Sequence, residues 1–174
     1  EIGIVTGSDL EYVKQQCEAL LDHISLDVTA LHIMPCNGTK YYRISNKDFF
    51  TVYEKNMRED LGQSNWRRII RIITELQLSL INSNRDLPLT GNFINYRGST
   101  LNWCPIGRQA NIEDRAKWGL KDKHAWIRNK WLGSIREEFA ACGLGNVVVK
   151  LGGDTSFDIY PEGWDKTYAF KLFE

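Results

Sequence analysis

Apolar and polar positions follow two rhythms along the 174 residues, one near 3.6 and one near 2, and the changes of rhythm mark the elements. Ile2-Gly3-Ile4-Val5 reads as a short buried strand, closed by the turn Thr6-Gly7-Ser8-Asp9. Asp9 is placed to cap the next helix, whose apolar face is Leu10, Val13, Cys17, Leu20, Leu21 and Ile24. Strand, glycine turn and helix together open an α/β unit. Residues 30–34 read as a second strand, stopped by Pro35 and the turn pair Asn37-Gly38, with 39–44 and 49–53 pairing as a hairpin beyond it. Ser64 is placed to open a long helix with Trp66, Ile69, Ile70, Ile73, Leu76 and Leu80 on one face and Arg67, Arg68 and Arg71 in solvent. Residues 92–96 and 100–104 alternate and join through Gly98-Ser99 as a hairpin. A short helix over 111–119 and a longer one over 123–142 follow, the latter with Ile127, Trp131, Ile135 and Phe139 aligned and Gly143 and Gly145 as stops. Residues 147–151 and 155–160 pair across Gly152-Gly153-Asp154, and 168–173 reads as a last strand.

The middle of the chain is therefore a four-stranded antiparallel sheet covered by helices on one face, an α+β unit. The flanks belong to an α/β core that the chain leaves and re-enters. The expected division is 1–60 for part of that core, 61–162 for the inserted unit and 163–174 for the return. The chain opens at Glu1 with no methionine before the first apolar run, which reads as an internal start.

With 43% hydrophobic residues the chain can build a real core. Lys+Arg and Asp+Glu both number 22, so no basic excess suits it to nucleic acid or a membrane surface. The four cysteines are far apart and form no CxxC, which speaks against zinc and for reduced thiols in a cytoplasmic protein. No apolar run of about 18 residues is present to span a membrane. His23, His32 and His124 lack metal spacing and read as structural or exposed, and neither a GxSxG elbow nor a Walker loop occurs.

The chemistry-bearing candidates lie in and beside loops. Arg97 ends a strand, Arg108 follows Pro105-Ile106-Gly107, and Arg115 lies early in a helix. Forked guanidinium groups converging from separate loops make a phosphate-reading pocket, while the same residues scattered make an ordinary charged surface. In Thr155-Ser156-Phe157-Asp158 a strand puts Ser156 and Asp158 on one face and Phe157 on the other, so burial of Phe157 would expose a hydroxyl and a carboxylate suited to sugar hydroxyls. A solvated strand face would look the same. Lys166, closing Gly163-Trp164-Asp165-Lys166, is either a point charge for an anion or a surface lysine. Gly7-Ser8 at a strand end offers amides and a hydroxyl to an anion.

Several stretches taken together resemble the eukaryotic-type phosphomannomutases of the haloacid dehalogenase superfamily. They are IGIVTGSDL (2–10), PCNG (35–38), GNFINYR (91–97), LNWCPIGR (101–108), EDR (113–115), REEFAACG (136–143) and GGDTSFDIYPEGWDK (152–166). The last is the most specific, and the match is loosest over 39–88. The resemblance implies an α/β fold, a partial haloacid-dehalogenase Rossmann-like core with an inserted α+β cap. It places the cap arginines on Arg97, Arg108 and Arg115, and the sugar-contacting pair on Ser156 and Asp158. The hydroxyl of the superfamily's second motif falls on Ser8, with Thr6 as a substitute, and the lysine of its third motif on Lys166. Gln16 corresponds to a substrate-touching glutamine of the core.

The activity implied is interconversion of mannose 6-phosphate and mannose 1-phosphate, on the way to GDP-mannose. A core aspartate would carry the phosphoryl group, a sugar 1,6-bisphosphate would prime the cycle, and Mg²⁺ would assist. Hexose phosphates are the implied small-molecule partners and a homodimer through the cap the implied assembly, with the apolar face of the Ser64 helix and its tryptophan as candidates. The chain departs from the pattern in holding no DxD, the motif that supplies nucleophile and general acid/base, and no following acidic metal motif. The residues given are therefore expected to bind and not to catalyse alone. A sugar-phosphate phosphatase and a non-catalytic sugar-phosphate-binding module are the alternatives.

Overall fold

The computed structural model describes residues 2–23, 31–45 and 48–171. Ile24, Ala30, Leu172 and Phe173, which the sequence reading assigns to elements, lie outside them, as do the side chains of Leu20, Leu21 and His23. The chain divides into two compact units. The first comprises 1–56, 97–99 and 162–174, and the second 57–96 and 100–161.

In the first unit β1 (Ile2–Val5) pairs in parallel with β2 (Leu31–Met34), and β3 (Lys40–Ser45) and β4 (Asp48–Glu54) follow as an antiparallel hairpin. The strand order is β1-β2-β3-β4. Helix α1 (Leu10–His23) starts as the sequence predicts, with the Asp9 carboxylate accepting the Tyr12 N–H at 2.9 Å. Val13 of α1 packs with Leu31, Ile33, Tyr42 and Ile44. Met34, Tyr41 and Ala169 form a second small cluster. β1 is less buried than its apolar sequence suggests, with Ile2 68% exposed, because it stands at the edge of these four strands. Over its described part the expected last strand (168–173) is instead a one-turn helix, α2 (Thr167–Phe170). Asp165 starts it, its side chain accepting the N–H and hydroxyl of Thr167 at 3.0 and 2.6 Å, a local bond that competes with extension.

The second unit opens with α3 (Met57–Ser83), broken at Gly62, where φ is 77° and ψ 155°. The helix thus begins seven residues before Ser64. Ile69, Ile72, Ile73 and Leu80 are buried, so the apolar face of the helix is taken up by this unit's own core. Arg68, expected in solvent, donates to the Cys142 carbonyl at 2.6 Å. Strands β5 (Ile94–Tyr96), β6 (Leu101–Trp103), β7 (Val147–Gly152) and β8 (Ser156–Pro161) make an antiparallel sheet ordered β5-β6-β8-β7. Both expected hairpins are present. Between them run α4 (Ile112–Ala125) and α5 (Ile127–Ala141). The helix expected to stop at Gly119 continues to Ala125, and the break falls on Trp126, left-handed at φ 55°. Asp122 fixes that break by accepting both the backbone N–H of Arg128 (2.7 Å) and its Nε (2.6 Å). Gly143, at φ 73°, ends α5 as predicted.

No disulfide joins Cys17, Cys36, Cys104 or Cys142. Among the described residues no helix is long and apolar enough to cross a membrane.

Candidate functional site

The central pairing of the second unit sets Asn102 against Asp158 and Trp103 against Phe157. Trp103 and Phe157 are fully buried and stack with centroids 4.9 Å apart. Successive side chains of a strand point to opposite faces, so Asn102, Ser156 and Asp158 share the other face. The Asn102 amide donates to Asp158 Oδ1 at 2.7 Å and to Ser156 Oγ at 3.1 Å, and its Oδ1 accepts from Arg108 Nη1 at 2.7 Å. Ser156 Oγ in turn donates to the Gly152 carbonyl at 2.6 Å. A Cβ on Gly152 would lie 2.7 Å from Asp158 Oδ2 and 3.0 Å from Ser156 Oγ, so any larger residue there would displace the side chains of this row. The result is a guanidinium, an amide, a hydroxyl and a carboxylate in one hydrogen-bonded row.

Arg108 reaches that row from a tightly held loop. Gly107 has φ 91°, and a Cβ there would lie 2.6 Å from the Gly91 carbonyl. The Arg108 N–H donates to that same carbonyl at 3.1 Å. Buried Gln77 donates to the Pro105 carbonyl (3.1 Å) and accepts from Trp103 Nε1 (2.7 Å), tying the loop to the core.

Arg115 stands in the first turn of α4, which Asn111 caps. In this structure its fork is directed at protein groups: Nε at the Ala110 carbonyl (2.9 Å), Nη2 at the Arg108 carbonyl (2.6 Å) and Nη1 at Thr155 Oγ1 (3.0 Å). It thereby braces the Arg108 loop and the residue before Ser156. Arg128 braces the same hairpin, with Nη1 donating to the Gly153 carbonyl at 2.9 Å.

The remaining candidates belong to the first unit. Arg97 Nη1 donates to the Gly7 carbonyl at 3.2 Å, while its Nε is buried without a hydrogen-bond partner among the described residues. Ser8 is half-buried and held through its backbone, its N–H on Thr6 Oγ1 (3.2 Å) and its carbonyl accepting the Cys36 N–H (2.8 Å). Thr39 Oγ1 lies 2.6 Å from both the Cys36 carbonyl and Ser99 Oγ. Burial pushes the Cys36 thiol above its ordinary pKa, against the lowering influence of its bond to Ser99 and of nearby Lys40 and Arg97. Lys166 and Gln16 are exposed. The structure thus brings Arg108, Arg115, Ser156 and Asp158 together in one unit, and Arg97 with the Gly7-Ser8 turn in the other.

Asn102 was missed by the sequence reading, although the reasoning that exposed Ser156 and Asp158 applies to it, since it lies between apolar Leu101 and Trp103 on a strand. Gln77, Thr155 and Arg128 carried no local signal. Among the described residues no group of three His, Cys, Asp or Glu side chains is close enough to hold a metal ion.

The sequence model of one family, eukaryotic phosphomannomutase, matches residues 1–174. A phosphomannomutase of Drosophila melanogaster is 33% identical over 99% of this chain and 62% of its own length. One from Solanum lycopersicum is 30% identical, also over 99% and 62%. The chain thus spans about three-fifths of the curated relatives it matches. Among solved structures, an IMP-bound, N-terminally truncated IMP-nucleotidase of Plasmodium falciparum aligns with TM-score 0.56 at 12% identity, over 99% of this chain and 45% of that one. The C-terminal domain of a trehalose synthase regulatory protein from Candida albicans aligns with TM-score 0.53 at 12% identity, over 98% and 46%. These two likenesses concern fold alone, and the fold is a partial haloacid-dehalogenase one of α/β class.

Proposed function

We propose that this chain, which belongs to the eukaryotic phosphomannomutase family, is the sugar-phosphate-recognising part of an enzyme that moves a phosphoryl group between carbon 6 and carbon 1 of mannose. The observation that carries the reading is the row Arg108–Asn102–Asp158/Ser156. A guanidinium beside a carboxylate and a hydroxyl offers donors for a phosphate and acceptors for sugar hydroxyls on one rigid sheet face.

In such a reaction an aspartyl phosphate gives its phosphoryl group to the sugar monophosphate, and the resulting bisphosphate returns its other phosphoryl group to the same aspartate. The bisphosphate must turn round between the two halves. Each phosphate must therefore be held while the opposite end reacts. A charged fork presented from a braced loop serves both orientations, because it reads the phosphate and not the carbon that carries it. Positioning and charge stabilisation do most of the work in phosphoryl transfer. Ser8 and Lys166 are proposed beside the transferring group, Lys166 as a point charge, with Arg97 and Gln16 as further substrate contacts. Magnesium, held by residues other than those described, would neutralise phosphate charge, and no step drawn here runs through it.

The test is calorimetry of mannose 1-phosphate and glucose 1,6-bisphosphate on this chain, with Arg108→Ala as control. Binding that the substitution abolishes supports the reading. Binding that survives it unchanged removes Arg108 from the site. On the intact enzyme, isomerised sugar phosphate rather than free phosphate is the expected product.

A further inference from the structure

We infer that Asn102 is a positioning residue that keeps the Arg108 guanidinium and the Asp158 carboxylate from neutralising each other, dividing the polar sheet face into an anion-gripping half and a hydroxyl-gripping half. The assignment of what each half grips rests on the sugar-phosphate reading above; the geometry does not. Asn102 is 3% exposed, yet its side chain spends none of its capacity on solvent. One end of the amide accepts from Arg108 at 2.7 Å, and the other donates to Asp158 at 2.7 Å and Ser156 at 3.1 Å. A further contact to the Phe157 carbonyl at 3.4 Å fixes the plane of the group.

An uncharged amide is a donor and an acceptor at once, so it satisfies a cation and an anion together while adding no charge. A serine or threonine hydroxyl also donates and accepts, but from a single atom, whereas the amide carries its acceptor and its donors on separate atoms and so reaches two groups at once. Aspartate would bind Arg108 and repel Asp158. Alanine would leave the half-buried guanidinium and carboxylate with no polar group between them. Such groups close into a paired contact that uses the donors a phosphate needs and the acceptors a sugar hydroxyl needs. Asn102 lies directly opposite Asp158 in the strand register, and the Gly107 turn brings Arg108 back to it six residues later. The spacer is therefore built by the sheet and the loop together.

Two measurements on the 174-residue chain test this. The first needs no ligand. Arg108→Gln and Asp158→Asn are combined in a double-mutant cycle of thermal unfolding, in the parent and in an Asn102→Ala background. The coupling between the two positions should rise when the amide is gone; an unchanged or smaller coupling overturns the inference. The second is calorimetry with inorganic phosphate. Asn102→Ala should weaken binding by at least about tenfold, the scale of one charge-assisted contact. Adding Asp158→Asn to that variant should restore it to within about threefold of Asp158→Asn alone. A double variant as weak as Asn102→Ala alone overturns the inference, since a merely structural loss is not relieved by removing a carboxylate. If the parent binds neither phosphate nor mannose 1-phosphate, the sugar-phosphate reading fails, and the ligand-free cycle still decides the role of Asn102.

Discussion

The two units hold their candidate residues in different ways. In the second, charged and polar side chains are fastened to one another and to buried backbone: Arg115 to two carbonyls and Thr155, Asn102 to Arg108, Ser156 and Asp158. In the first, the turn is fastened mainly through backbone, by the Thr6, Ser8 and Cys36 amides and carbonyls, and Lys166 points to solvent. The second unit is therefore preorganised by itself, which suits recognition. The first presents a turn pinned through its backbone.

The largest effect expected from breaking this comparison is at Asp122. Asp122→Ala leaves buried Arg128 without its carboxylate and frees the left-handed break at Trp126. Loss of one partner of a buried pair costs about 3–5 kcal/mol, to be read as a lower denaturant midpoint of the second unit. A change below about 1 kcal/mol would show that the pair contributes little to that unit.

Next comes Arg115. Arg115→Ala removes the brace under Arg108 and beside Thr155, and sugar-phosphate binding should weaken by about 1.5–3 kcal/mol, the scale of a charge-assisted bond. Arg115→Lys should not rescue it, since one ammonium cannot reach three acceptors in a fork. Calorimetry that gives unchanged affinity for Arg115→Ala would remove this arginine from the site altogether.

A smaller and graded difference is expected with pH. In the first unit the Cys36 thiol and the Tyr42 and Tyr53 phenols are pushed above their ordinary pKa, chiefly by burial; in the second unit the same shift falls on Tyr96. For Tyr42 the hydrogen bond to Glu54 and its charge push the same way. Groups raised in the folded state favour folding below their unfolded pKa, so stability is retained up to about pH 8.5 and falls as the pH climbs through the raised values. Alkaline titration should therefore loosen the first unit before the second. Tyrosinate absorbance followed with proteolytic mapping reads the order, and early cleavage within 57–96 or 100–161 would reverse it.

The smallest expected effects are at the helix starts. Asp9→Ala in the first unit and Asn111→Ala in the second each remove one capping bond, at 2.9 and 2.8 Å, worth about 1 kcal/mol. Equal losses in melting experiments would show that the two units differ in their sites and not in the quality of their helices.

Much of this was legible beforehand because it rests on short-range rules. Asp9 capped its helix, Gly143 ended another, and both hairpins of the second unit formed where alternation and glycine placed them. Ser156 and Asp158 share a face opposite Phe157 because a strand alternates. Residues 168–171, the described part of the expected last strand, are not extended because a local bond from Asp165 outweighed apolar pattern, and the 111–119 helix ran on because Asp122, not Gly119, sets the break.

The amino-acid sequence by itself determined the period of each element, the caps and turns, and the residue types available for phosphate and sugar, since all of these depend on neighbours a few positions away. Tertiary structure alone decided that Asn102 stands between Arg108 and Asp158, that Arg115 braces a loop, and that Gln77 and Arg128 anchor the site from positions 25 to 28 residues away. Those partners meet only after the sheet has closed its register and the core has fixed the loops, so no local pattern in the chain encodes them.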